Sequence, residues 1–289
     1  MEEGFLKYIP LDKSWIIRMG FLDIINGYDD INKFLEKQNN LGDDLIALKR
    51  VTEKWNTDEP LDVGESGTLY RFLQFYLWKN KIKREIIKKG TLKDRKICDN
   101  PEIVNWPLKK LLTLDNGTSQ WASASIINGN KERIKVPEYK DKLQLSYEAV
   151  EHWNEKRKNN ECWLPRYDKT IENQARAYLG LLKNKKLKFI PKHSEDYCFA
   201  RAFNLITPEQ GEKMFPSLIG HETDRIKEME KALDEAEKYG QISSKDHRVI
   251  QAIAMKYKIL GKKLIVQHPY VVSKSWPQFW DFLDYCNKV

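Results

Sequence analysis

Several stretches of the chain repeat apolar positions at the three- and four-residue spacing that gathers them on one face of a helix. In GESGTLYRFLQFYLW (64–78), Leu69, Phe72, Leu73, Tyr76 and Leu77 form the stripe, behind a turn of small and hydroxylated residues. In 221–240 the stripe is Ile226, Met229, Leu233 and Ala236, with Gly240 suited to the helix end. In 246–261 it is Val249, Ile250, Ile253 and Tyr257. Shorter amphipathic helices are predicted over 10–25, 116–127 and 273–286. Their expected caps are Ser14, Thr118 or Ser119, and Ser275, and Pro277 falls in a first turn, where its missing N–H costs little. The segment from Gly27 to Trp55 is largely polar and helix-like. Between the helices lie β-prone runs: KREIIKKG (83–90), KERIKVPEY (131–139), KLQLSY (142–147), KLKFI (186–190) and KKLIVQHPYVV (262–272). Helices interleaved with strands predict an α/β or α+β protein.

Composition narrows the class. A chain of 289 residues, 41% hydrophobic and 32% charged, can bury one sizeable core or two modest ones. No apolar run approaches the length that spans a bilayer, and the N-terminus lacks the basic start and apolar stretch of a signal peptide. Cys98, Cys162, Cys198 and Cys286 are widely spaced, with no CxxC and no paired histidines. They are read as reduced thiols of a cytoplasmic protein, and neither metal nor cofactor is expected.

Charge changes the picture more. The net charge is +8. The lysine runs 79–89 and 183–188 have no interleaved aromatics, so they are read as solvated faces and nucleic acid is not an expected partner. Six cations stand apart from these runs: Lys13, Arg18, Arg71, Arg225, Arg248 and Lys274 lie at or just inside predicted helix starts. A cation is disfavoured there by the helix dipole alone. An anion held by both the exposed amides and the cation would reverse that preference.

Taken in chain order, these segments resemble the enolpyruvyl transferases, and within them the 5-enolpyruvylshikimate-3-phosphate synthases. PLDKSWIIR (10–18) is similar to the family's Lys-Ser…Arg element, and GESGTLYR (64–71) to its Gly-x-(Ala/Ser)-Gly-Thr-x-x-Arg signature. GTLKDRKI (90–97) resembles the segment that follows, with Arg95 as its arginine, and GTSQWASA (117–124) resembles the Ser-Ser-Gln element. HETDRI (221–226), DHR (246–248) and VSKSWPQFWDFL (272–283) are similar to the closing Lys-Glu-Ser-Asp-Arg, Asp-His-Arg and Lys-Thr-Phe-Pro-x-x-Phe elements.

The resemblance implies an inside-out barrel of two domains built from reduced βαβαββ units, helix N-termini facing the cleft between them. The first domain would be 14–188, and the second 1–13 with 189–289. The implied reaction moves the enolpyruvyl group of phosphoenolpyruvate to the 5-hydroxyl of shikimate 3-phosphate and releases phosphate, in a monomer with no membrane partner. Lys13, Arg71, Arg95, Arg225, Arg248 and Lys274 would grip phosphoenolpyruvate, Gly67 would let the backbone approach it closely, and Thr68 would be a further substrate-binding residue. Ser14, Arg18, Thr118, Ser119 and Gln120 would hold the shikimate phosphate. Glu222 and Lys274 would move protons, with Lys13 beside them. The acceptor half departs from the family. Ser217 stands where an aspartate base is usual, His221 replaces a lysine, and HSEDYCFA (193–200) is altered, leaving Glu222 and Asp196 as candidate bases. Transfer to a different acceptor, and a non-catalytic anion-binding homologue, are the alternatives.

Overall fold

A computed structural model of the chain describes residues 4–134, 142–218 and 224–287. It is a mixed helix-and-strand protein, mostly helical, and it divides into two compact units, Leu11–Arg166 and the chain up to Pro10 together with Tyr167 onward. Each unit has its own apolar core.

The unit Leu11–Arg166 holds α1 (Lys13–Ile25), α2 (Asp30–Glu36), α3 (Asp43–Lys54), β1 (Leu61–Gly64), α4 (Gly67–Lys79), β2 (Ile86–Lys88), α5 (Leu108–Leu111), α6 (Gln120–Ile127) and α7 (Lys142–Lys158). Helix α1 is buried on every side from Trp15 to Ile24, which is why its sequence is apolar all round. Its cap is Asp12, whose carboxylate accepts from the Trp15 amide at 3.0 Å, and not Ser14. Two charges enter that core with α1. Asp23 accepts from the indoles of Trp153 (2.8 Å) and Trp163 (2.7 Å) and from Arg157 (2.6 Å), and Arg18 is described below. Strands β1 and β2 pair in parallel, Leu61 opposite Ile86, so α4 is the crossover that parallel pairing requires.

The second unit holds α8 (Lys169–Asn184), α9 (Tyr197–Ala202), α10 (Pro208–Met214), α11 (Arg225–Tyr239), β3 (Gln241–Ile242), α12 (His247–Ile259), β4 (Ile265–Val266) and α13 (Phe279–Cys286). Gly240 ends α11 in the left-handed conformation (φ 64°) that glycine adopts without penalty. Strands β3 and β4 are again parallel, with α12 crossing between them. Each unit therefore repeats one order, helix–strand–helix–strand: α3–β1–α4–β2 and α11–β3–α12–β4. Among the described residues the strands form two separate pairs and no closed barrel.

Several sequence expectations are corrected. KLQLSY is not a strand but the first turns of α7. Leu143, Ser146, Tyr147, Ala149 and Trp153 are buried at helical spacing, and six residues are too few to separate that period from alternation. KLKFI is irregular. Lys185 closes α8 at φ 55°, and Ile190 is 78% exposed. Of KERIKVPEY, residues 131–134 are irregular, and the rest lies outside the described residues. In KKLIVQHPYVV only Ile265 and Val266 form strand, because Pro269 opens a 3-10 helix over Pro269–Lys274. Lys274 thus ends a 3-10 turn and does not begin a helix. A residue before proline is pushed from helical geometry, so α13 starts after Pro277, at Phe279, and Ser275 does not cap it.

Candidate functional site

In the unit Leu11–Arg166, the N-terminus of α4 collects Gly67, Arg71, Arg95 and Gln120 from three separated segments. Arg71 is buried one turn into the helix. Its Nη1 donates to Gln120 Oε1 (2.6 Å) and to the Gly67 carbonyl (3.1 Å). Its Nε donates to Asp115 Oδ2 at 2.7 Å, and Nη2 lies 2.6 Å from the same oxygen in an ion pair. Those hydrogen bonds take three of the five guanidinium N–H groups. Burial pulls the Arg71 pKa down, and the Asp115 carboxylate beside it opposes that pull.

Asp115 is the residue that sequence reasoning missed. It also accepts from the Trp121 indole (2.8 Å) and the Cys98 amide (2.8 Å), and its φ of 48° is the left-handed value that aspartate tolerates in a turn. The signal was the turn LDNGT itself, an Asx-rich corner just ahead of the Ser-Gln pair.

Arg95 approaches the same helix end from the chain that follows β2. A Cβ on Gly67 would lie 3.0 Å from Arg71 Nη1 and 3.5 Å from Arg95 Nη1, so both guanidinium groups border the bare Cα. Arg95 Nη2 donates to the Thr91 hydroxyl at 3.1 Å, and that hydroxyl donates to Glu65 Oε2 at 2.8 Å. Ser66, at the N-cap position, is buried and its hydroxyl has no partner; Thr68 follows Gly67, half-buried.

A second group in this unit surrounds Arg18. Its Nε donates to Ser146 Oγ (2.9 Å), Nη1 to the Ser14 carbonyl (2.7 Å) and Nη2 to Ser123 Oγ (3.4 Å), and the guanidinium lies 5.5 Å from the Phe72 ring centroid. Burial lowers its pKa to about 10, against the pull of Asp12, so it stays cationic at neutral pH. Ser123 and Ser146 were legible only as small polar residues among apolar helical neighbours. Ser119 is buried one turn before Ser123, and its carbonyl accepts from the Ser123 amide at 2.8 Å. Thr118 Oγ1 accepts from the Gln120 amide at 3.4 Å. Lys13 pairs with Asp44 at 2.7 Å.

In the other unit, Asp246 joins two of the expected cations. Its Oδ2 accepts from Arg225 Nε (2.8 Å), and its Oδ1 caps α12 by accepting from the Arg248 amide (2.8 Å). Burial alone would raise the Asp246 carboxyl; Arg225, His247 and the capped amide outweigh it and hold it below the ordinary carboxylate range. Arg248 is buried and its Nη1 has no hydrogen-bond partner. Gln251, one turn along α12, donates to Ser275 Oγ (3.1 Å), the residue after Lys274. Asp196 is committed elsewhere: it is buried and accepts from Gln174 Nε2 (2.9 Å) and the amides of Lys192 (2.9 Å) and His193 (3.2 Å). Glu222 and His221 lie outside the described residues.

Chemically, the α4 terminus offers amides, two guanidinium groups and one carboxamide around a glycine Cα. That set suits a small, multiply charged anion. No family model, no curated protein and no solved structure matches this chain.

Proposed function

We propose that the chain is an enolpyruvyl transferase that moves the enolpyruvyl group of phosphoenolpyruvate to the 5-hydroxyl of shikimate 3-phosphate and releases phosphate. One observation carries the reading. Gly67, Arg71, Arg95 and Gln120, which the family resemblance assigns to the substrates, meet at one helix N-terminus although they come from three segments of the chain. The finer fold, an inside-out barrel of reduced βαβαββ units, belongs to the same proposal; the two β–α–β crossovers are what such reduced units would keep.

Under this reading Arg95 and the amides after Ser66 meet phosphoenolpyruvate, and Arg71 anchors the helix end while lending it charge. Arg18, held by Ser123 and Ser146, faces the phosphate of the acceptor together with Ser14, Thr118, Ser119 and Gln120. Arg225, Arg248 and Lys274 are the further cations that the resemblance assigns to phosphoenolpyruvate. The enol carbon must gain a proton while the acceptor hydroxyl loses one, and Glu222 and Lys274 are the groups assigned to that exchange. Lys13 is assigned there too. Asp196 is not, since its carboxylate caps its own turn.

The non-catalytic alternative has one observation in its favour. Arg71 is already neutralised by Asp115, an arrangement that folding alone would explain. The test is phosphate release from phosphoenolpyruvate plus shikimate 3-phosphate, with a phosphorus spectrum of the products. Release matched by a new enolpyruvyl ether is expected. Tight phosphoenolpyruvate binding with no release would favour another acceptor, and neither binding nor release would end the proposal.

A further inference from the structure

We infer that Glu65 is a positioning residue for Arg95: through the Thr91 hydroxyl, its carboxylate orients the guanidinium that meets the anion at the start of α4. The inference rests on the reading that Arg95 contacts phosphoenolpyruvate.

The relay has a fixed direction. A hydroxyl has one proton to donate and two lone pairs to accept with. Thr91 gives its proton to Glu65 Oε2 (2.8 Å), which turns a lone pair toward Arg95 Nη2 (3.1 Å). A carboxylate at the far end polarises that hydroxyl and strengthens the bond it accepts. The backbone is shaped to allow this. Parallel pairing of Gly64 with Lys88, and the Lys89 amide donating to the Gly64 carbonyl at 2.7 Å, bring residue 65 over residue 90. There a glycine is required twice. Its φ is +47°, and a Cβ on it would lie 1.9 Å from Glu65 Oε1. The carboxylate therefore rests on a bare Cα. Holding Arg95 toward one rotamer before the anion arrives spares binding part of the cost of ordering a long side chain.

Charge alone predicts the opposite behaviour, which makes the idea testable. A carboxylate beside an anion site repels the anion, so its removal should tighten binding unless it is holding Arg95 in place. Phosphoenolpyruvate is titrated calorimetrically into the full chain and its variants. Arg95→Ala should weaken binding. Glu65→Ala and Thr91→Val should each weaken it by about two- to tenfold, the cost of ordering one long side chain at the moment of binding. Gly90→Ala, which displaces the carboxylate without deleting it, should do the same. Glu65→Gln keeps an acceptor for Thr91 and should bind as tightly as wild type or more so. These side chains are exposed or half-buried, and unchanged melting temperatures for the Glu65 and Thr91 variants confirm folding. If Arg95→Ala weakens binding while Glu65→Ala binds as well as wild type or better, the relay is overturned and the role of Arg95 stands. If wild type does not bind phosphoenolpyruvate, or Arg95→Ala binds it equally well, the functional reading fails and the relay with it.

Discussion

Single residues in this protein matter most where a charge is buried with one counter-charge. Arg71 and Asp115 are 7% and 6% exposed at their side chains, so neither can fall back on water. Asparagine keeps the shape of Asp115 and tolerates its left-handed backbone. Asp115→Asn therefore isolates the lost charge. It should destabilise the chain by about 3–5 kcal/mol, the usual result of stranding one member of a buried pair. Urea unfolding measures this, and a loss under about 1 kcal/mol, the usual worth of an exposed pair, would mean the pair is not buried in solution. The Arg225–Asp246 pair makes a different prediction. The Asp246 carboxyl is held below its ordinary value in the folded chain, so its contribution is present above the unfolded pKa of about 3.9. It is lost as pH falls through the lower, folded value. Wild type should lose stability more steeply than Arg225→Gln as pH drops below about 5. Superimposable slopes for the two proteins would refute the assignment.

At the scale of elements, the start of α4 separates folding from binding. Gly67 has no positive φ, so alanine suits its helical backbone, and any change in stability comes from crowding by the methyl group and not from backbone strain. Its methyl group would nonetheless stand 3.0 Å from Arg71 Nη1, where an anion needs room. Gly67→Ala should still fold and should bind phosphoenolpyruvate more weakly. Unimpaired affinity would move the site away from this helix end. The helices were legible because a long stripe such as Ile226–Met229–Leu233–Ala236 admits one period, and because Gly240 marks a stop with a physical cause. The strands were not. A two-residue strand such as Ile265–Val266 is defined by its partner, and its partner lies across a thirteen-residue helix. The site was legible in part for the same reason. Arg71, Arg95 and Gln120 stand in recognisable motifs, while Asp115, Ser123 and Ser146 are ordinary residues made important by what the fold brings to them.

At the scale of the whole molecule, two cores imply two cooperative events. The unit Leu11–Arg166 is continuous in sequence and includes Trp15, Phe21, Phe72 and Trp121 fully buried in its own cluster. A fragment spanning 11–166 should fold alone and unfold in one cooperative thermal transition. A broad, non-cooperative melt by circular dichroism would show that the core is not self-sufficient. The other unit is discontinuous. Phe5 and Ile9 belong to its core, the Pro10 carbonyl accepts from the Asp168 amide at 2.9 Å, and the Tyr8 carbonyl accepts from the Trp276 indole at 2.6 Å.

That discontinuity has a consequence in time. During synthesis, the segment carrying Phe5, Tyr8 and Ile9 leaves the ribosome before the unit Leu11–Arg166, and its partners Trp276 and Tyr285 leave after it. At about 5–20 residues per second, the wait lasts on the order of ten seconds to a minute. The first unit has time to fold during that interval, while a short apolar segment of the nascent chain stays uncovered. A chaperone that captures apolar nascent segments should therefore be found on ribosomes stalled after residue 166, and should leave once residue 286 has emerged.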